Sequence, residues 1–237
     1  MECRAILFDM DGVLYDSMPN HAIAWQRAMQ QHGLSMTREE VYMNEGRTGE
    51  GTIDIFTQRL WGRDATPGEI QSIYKTKSAI FNTLPTPLPM HGVKEVLDLV
   101  REQNLLRVIV TGSGQTSLLQ RLNESFPNHF TQDVMVTAFD VTHGKPHPEP
   151  YQMGLEKAGR KLQLNRPLSP NEAIVVENAP LGIQAARAAG IYTIAVNTGP
   201  LSDQILKEAG ADVVLKDMHA LEDFLLHHVL AKKNGRT

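Results

Sequence analysis

Cysteine is nearly missing from this chain of 237 residues: Cys3 is the single one, which excludes an internal disulfide. An excess of basic charge is missing too. Lys and Arg number 23 against 27 Asp and Glu, and no basic cluster occurs apart from Lys232-Lys233, which excludes a nucleic-acid-binding surface. No apolar run approaches the roughly 20 residues that a membrane span needs. Residues 1–9 are too short and too soon charged for a signal peptide, so the expectation is a cytoplasmic protein with no membrane partner, a monomer or weak oligomer. What the chain does have is a hydrophobic content of 41%, enough for the core of one α/β domain with a modest insertion.

From residue 89 onward, short apolar runs alternate with helix-like stretches. Strands are expected at 5–8, 106–110, 134–136, 173–176, 193–196 and 212–215. Helices are expected at 92–102, 115–124, 149–157, 181–189, 202–209 and 221–230. Strands separated by helices of this length predict an α/β fold, a doubly wound, Rossmann-like parallel sheet covered on both faces. Residues 18–84 differ, carrying helical periodicity in Ile23, Trp25, Ala28, Met29 and again in Ile53, Ile55, Phe56, Leu60, with no strand pattern. Pro19 stands before this stretch and Pro85, Pro87 and Pro89 after it. The expected division is a core of residues 1–17 and 89–237 with an inserted α-helical cap at 18–88.

The segment Phe8-Asp9-Met10-Asp11-Gly12 places two carboxylates where an apolar strand ends, the position at which open α/β sheets hold their ligands. Carboxylates this close need positive charge. A Mg²⁺ ion supplies it, screens an incoming phosphate, and leaves Asp9 to attack phosphorus while Asp11 handles protons. Three further segments fall at expected strand ends. In Val110-Thr111-Gly112-Ser113-Gly114, Thr111 and the backbone N–H groups of Gly112 and Ser113 can hold phosphate oxygens. In Gly144-Lys145-Pro146, a lysine fixed between glycine and proline can neutralise the phosphate and Asp9 together. In Glu177-Asn178-Ala179-Pro180, both side chains can offer oxygen to Mg²⁺.

These four segments, in this order and with a helical insert after the first, resemble the haloacid dehalogenase superfamily, and the resemblance covers essentially the whole chain. It implies Asp9 as nucleophile of an aspartyl-phosphate, Asp11 as general acid/base, Thr111 and Lys145 as phosphate holders, and Glu177-Asn178 as the magnesium end of the site. The insert is similar to the cap of the β-phosphoglucomutase-like subgroup, whose first helix is matched by His21, placed at the substrate, and Trp25 in Asn20-His21-Ala22-Ile23-Ala24-Trp25. Two departures stand out. That family usually has aspartate at the position of Asn178, and the mutase's cap loop is basic where this chain has Glu45 and Glu50.

Asn178 removes one negative charge from the magnesium site, and Glu45 can restore it from the cap. A unit charge pair at about 4 Å is worth about 4 kcal/mol at an effective dielectric near 20, enough for a cap-borne carboxylate to matter. The glycine-rich loop Asn44-Glu45-Gly46-Arg47-Thr48-Gly49 permits close approach, and Arg47 can meet a second phosphate. With Met43-Asn44-Glu45-Gly46-Arg47-Thr48-Gly49 and Glu177-Asn178-Ala179-Pro180-Leu181-Gly182, the chain is similar to inorganic pyrophosphatases of that subgroup. The expected activity is therefore Mg²⁺-dependent hydrolysis of pyrophosphate or another small phosphate. The competing readings are β-phosphoglucomutase, a general sugar phosphatase, and a binding protein that keeps the fold without catalysis. Zinc at His143 and His147 is disfavoured, since Pro146 between them breaks any shared helical face. Trp25, Met29, Phe56 and Trp61 read as cap core.

Overall fold

A computed structural model describes residues 3–230. Lys232-Lys233 lies outside them. The first strand, β1 (Ala5–Phe8), is buried throughout, because it runs between two parallel neighbours: β2 (Leu106–Val110), with Phe8 opposite Ile109, and β4 (Ala173–Glu177), with Phe8 opposite Val176. With β3 (Met135–Val136), β5 (Tyr192–Val196) and β6 (Val213–Leu215), the sheet has the order β3-β2-β1-β4-β5-β6. Every pairing is parallel. The strand order therefore reverses at β1 and β4, and the crevice at their carboxyl ends is where such sheets bind ligands.

Alternation along β1 shows why helices cover both faces. Ile6 and Phe8 point into one core, shared with α5 (Val93–Glu102), α6 (Thr116–Ser125) and α10 (Met218–Phe224). Ala5 and Leu7 point into the other, shared with Tyr151, Leu155 and Ala158 of α7 (Glu149–Lys161) and with Ala185 and Ala186 of α8 (Pro180–Ala188). A short α9 (Asp203–Glu208) packs Leu206 against Ile183 and Ala195.

The insert contains α1 (Met18–Gln31), α2 (Arg38–Met43), α3 (Gly49–Trp61) and α4 (Pro67–Thr83). Met18, Ala22, Trp25 and Met29 recur at helical spacing along α1 and form a separate cluster with Val41, Tyr42, Ile53, Phe56 and Ile73, which Leu201 of the core domain joins. Capping boxes start two of these helices, Thr37 with Glu40 and Thr66 with Glu69, the second followed by Pro67 at the first helical position.

Several expected bounds shift, most by one residue, while α7 runs four residues further, to Lys161. Val134 belongs to a 3-10 turn closed by its N–H on the Thr131 carbonyl, so β3 begins one residue later. The last expected helix starts earlier, at Met218, and passes into a π-helical turn over Leu225–Leu230. Among the described residues, no helix is long and apolar enough to cross a membrane.

Candidate active site

Asp9 follows β1 directly, and its N–H extends the ladder onto the Val176 carbonyl at 3.0 Å. The chain then turns sharply, with Gly12 at φ +79°. Glycine is needed there twice over: the φ is left-handed, and a Cβ would stand 2.1 Å from Asn178 Nδ2. The turn brings Asp9 and Asp11 to the crevice, both buried.

Lys145 enters from the loop before α7 and uses all three of its protons. Nζ donates to Asp9 Oδ1 at 2.5 Å, to Glu177 Oε1 at 2.6 Å and to the Val110 carbonyl at 3.0 Å. Burial opposes its charge, yet Asp9 and Glu177 outweigh that and hold its pKa above the usual lysine value. Glu177, expected at the metal, is held by four protein donors, of which Lys145 is one. Its Oε1 also accepts from the Tyr151 hydroxyl at 2.7 Å, and its Oε2 accepts the N–H groups of Asn178 and Ala179. Its oxygens are thus engaged in fixing Lys145, and a Cβ at Gly182 would lie 1.7 Å from Oε1.

Asp11 Oδ1 accepts from Ser17 Oγ at 2.6 Å and from His21 Nε2 at 3.0 Å. A carboxylate only accepts, so Nε2 carries the imidazole proton. Burial pushes Asp11 up, but His21, Ser17 and Lys77 together hold it down at about 2. His21, expected at the substrate, lines the cavity and gives its Nε2 to Asp11, while its ring lies against Phe81. For Asp9 the balance is reversed: burial, with Glu177 and Asp11 nearby, raises it to about 8 although Lys145 works against the rise.

Thr111, Gly112 and Ser113 line the same cavity, but the N–H of Ser113 is taken by Thr111 Oγ1 at 3.0 Å. Gly112 is pressed by the cap: a Cβ on it would meet the Gly46 carbonyl oxygen at 2.0 Å. Gly46, at φ +86°, in turn lies over the Lys145 side chain. This approach carries Glu45 to the core, where its Oε1 accepts from Asn178 Nδ2 at 2.7 Å. Glu45 is buried, and burial raises its pKa well above the usual carboxylate range. Arg47 is half-buried at the cavity wall, held by Asn44 Oδ1 at 3.3 Å.

Lys77 has no counterpart among the residues expected from sequence. It sits on α4 in the stripe Ile70, Ile73, Tyr74, Lys77, Phe81, a lysine where helical spacing asks for an apolar residue. That misplacement is the signal that could have found it. Its Nζ is buried among the rings of Trp25, Tyr74 and Phe81, 5.2–5.6 Å from their centroids, and donates weakly to Gln115 Oε1 at 3.5 Å. Burial lowers its pKa to about 8, with Asp11 opposing.

The buried charges do not balance. Fully ionised, Asp9, Asp11, Glu45 and Glu177 would exceed Lys77 and Lys145 by two negative charges, and the raised pKa values of Asp9 and Glu45 reflect that excess. Asn178 Oδ1 is buried with no hydrogen-bond partner. Oxygen donors converging with two charges unmet suit a hard divalent cation, and Asp9, Asp11, Glu45 and Asn178 fit that role.

The haloacid dehalogenase-like hydrolase family model matches residues 6–196, and the chain belongs to that family. It is 31% identical to "Phosphorylated carbohydrates phosphatase" of Thermotoga maritima, over 90% of this chain and 94% of that protein. It is 28% identical to "Putative pyrophosphatase PpaX" of Caldanaerobacter subterraneus, over 93% and 94%. A solved structure described as "Putative beta-phosphoglucomutase from Bacteroides vulgatus" superimposes with a TM-score of 0.89 at 50% identity, covering 95% of this chain and 88% of that one.

Proposed function

We propose that this protein is a magnesium-dependent phosphohydrolase that works through phosphoryl transfer to Asp9, and that its substrate is inorganic pyrophosphate or a comparably small phosphate. The observation that carries this reading is the contact of Glu45 with Asn178, which seats a cap carboxylate beside the unpartnered Asn178 oxygen. Asp9, Asp11, Glu45 and Asn178 would hold Mg²⁺, which when bound neutralises the carboxylates and polarises the transferring phosphoryl group.

A carboxylate oxygen of Asp9 attacks phosphorus in line, and the bond to the leaving oxygen breaks. Lys145 meets the charge shared between Asp9 and phosphate, while Thr111 orients the phosphoryl oxygens. Water then attacks the aspartyl-phosphate, and Asp11 accepts its proton. Asp11, held near 2, is ionised and so free to accept that proton. It is a poor proton donor for a sugar alkoxide, whereas phosphate leaves as an anion. Lys77 and Arg47 reach the cavity from the cap, where the leaving phosphate would lie. The cavity between core and cap measures about 50 Å³, which favours a small anion.

The second reading is a sugar-phosphate phosphatase, with β-phosphoglucomutase activity beside it. The names of the Thermotoga and Bacteroides relatives favour it. Steady-state rates with Mg²⁺ across pyrophosphate, hexose phosphates and glycerol phosphate separate the two. A kcat/KM for pyrophosphate at least tenfold above every sugar phosphate is expected, and the reverse order would establish the second reading.

A further inference from the structure

We propose that His143, His147 and Glu149 form a binding site for a divalent cation of the zinc type, outside the carboxylate cluster around Asp9. Sequence spacing argues against such a site because Pro146 excludes a helix. The structure removes that objection, since a loop and not a helix brings the two imidazoles together.

Glu149 is the first residue of α7, and its carboxylate folds back over the preceding loop. Oε1 accepts the Thr142 N–H at 2.7 Å and Oε2 the His143 N–H at 3.0 Å. The His147 N–H closes a tighter turn on the Gly144 carbonyl at 3.0 Å. The loop thereby becomes a ring with both imidazoles on one side, their centroids 4.7 Å apart. His143 Nδ1 lies 2.9 Å and His147 Nδ1 3.9 Å from Glu149 Oε2, and donor atoms of all three residues fall within 4.8 Å of one another. Ligands of a tetrahedral zinc ion, at about 2.0–2.2 Å from the metal, stand about 3.4 Å apart. The two observed separations bracket that value, so small side-chain rotations complete the set.

Two interactions compete, and the stronger is the hydrogen bond between His143 Nδ1 and Glu149 Oε2 at 2.9 Å, which a cation would have to replace. The Glu149 N–H donates to His147 Nδ1 at 3.2 Å, and a helix-terminal N–H of this kind is readily given to water instead. The histidine side chains are 64% and 50% exposed, so both rings are accessible to a cation from solvent. Two imidazoles and one carboxylate select a borderline cation over Mg²⁺, which prefers oxygen in octahedral array. The remaining coordination position opens onto a groove of about 630 Å³ whose far wall is the cap, at Thr48, Glu50 and Asp54. The same loop carries Lys145, whose amine points the other way, into the buried cluster. A cation here would stiffen the support of that lysine from outside.

The test is calorimetric titration of Zn²⁺ into the full chain, with Mg²⁺ in large excess to occupy the carboxylate cluster. Wild type is compared with His143→Ala, His147→Ala and the double variant, and visible absorption of Co²⁺ serves as a second readout of tetrahedral nitrogen and oxygen ligation. One Zn²⁺ per chain is expected for wild type, at least tenfold weaker binding for each single variant, and loss of both the event and the Co²⁺ bands in the double variant. An unchanged isotherm in the double variant, or no saturable event in wild type, would overturn the proposal. Both histidines are exposed, and thermal unfolding followed by circular dichroism verifies that the variants fold.

Discussion

The two walls of the cavity are built on different principles. On the core wall, Asp9, Thr111 and Glu177 stand at or just beyond strand ends, and ladder hydrogen bonds set their backbones. Lys145 is fixed to them by three donated hydrogen bonds. On the cap wall, Glu45 and Arg47 lie in the loop between α2 and α3, and Lys77 on a helix face. Their positions relative to the substrate depend on how the cap meets Gly12, Gly112 and Lys145. The core wall is thus suited to the chemistry common to any phosphate, and the cap wall to choosing which phosphate.

Substitutions can break this contrast from either side. Asp9→Asn is expected to lower turnover by about 10³-fold or more for every substrate while the unfolding transition stays cooperative. Substrate-dependent losses in steady-state assays would contradict a shared nucleophile. Glu177→Ala removes a partner of Lys145 and leaves the Tyr151 hydroxyl unpaired inside the core, so denaturant unfolding should show a loss of about 3–5 kcal/mol. Glu45→Ala, on the cap side, should cost less in the same assay on the metal-free protein, about 1–3 kcal/mol, because it leaves only the Asn178 Nδ2 donor unpaired.

Lys77 is expected to act through pH. Its pKa is lowered to about 8, so it is charged below that value and loses its charge as pH rises through it. With Mg²⁺ saturating, so that Asp9 is already ionised, the attraction for an anionic substrate falls with that charge, and kcat/KM should decline above about pH 8. Lys77→Met should lower kcat/KM by about 10-fold to 100-fold at pH 7, equivalent to about 1.4–2.8 kcal/mol, and should abolish that alkaline limb. A wild-type profile level to pH 10 would contradict this role.

The smallest effect is expected at Tyr74, whose hydroxyl meets the backbone N–H of Gly114 across the cap boundary and whose ring lies 2.4 Å from where a Gly49 Cβ would be. Tyr74→Phe should raise KM by a few-fold, about 1 kcal/mol or less, with kcat unchanged. A change confined to kcat would argue against a closing contact.

The contrast also explains what the sequence revealed. The positions of Asp9, Thr111 and Glu177 were legible because each follows or ends an apolar strand run, whereas Lys145 was marked only by its place between glycine and proline. The use made of Glu177 was not legible, since Tyr151 and Gly182 reach it from two other helices. Lys77 was hidden because a lysine in a helix is ordinarily solvated, and only its register on the apolar stripe of α4 marks it. The role of His21 depends on the turn after β1, which brings α1 back to Asp11. Val134 could not be separated from β3 by hydropathy, because an apolar residue closing a 3-10 turn looks the same as one entering a strand.

The most direct measurement is the Mg²⁺ dependence of pyrophosphate hydrolysis in a double-mutant cycle at Glu45 and Asn178. Glu45→Ala should raise the Mg²⁺ concentration for half-maximal activity by about tenfold or more, or about 1.4 kcal/mol. Asn178→Asp in that background should recover part of the loss, giving a coupling of about 1 kcal/mol or more. Strictly additive effects, or an unchanged Mg²⁺ requirement without Glu45, would contradict a metal site completed by the cap.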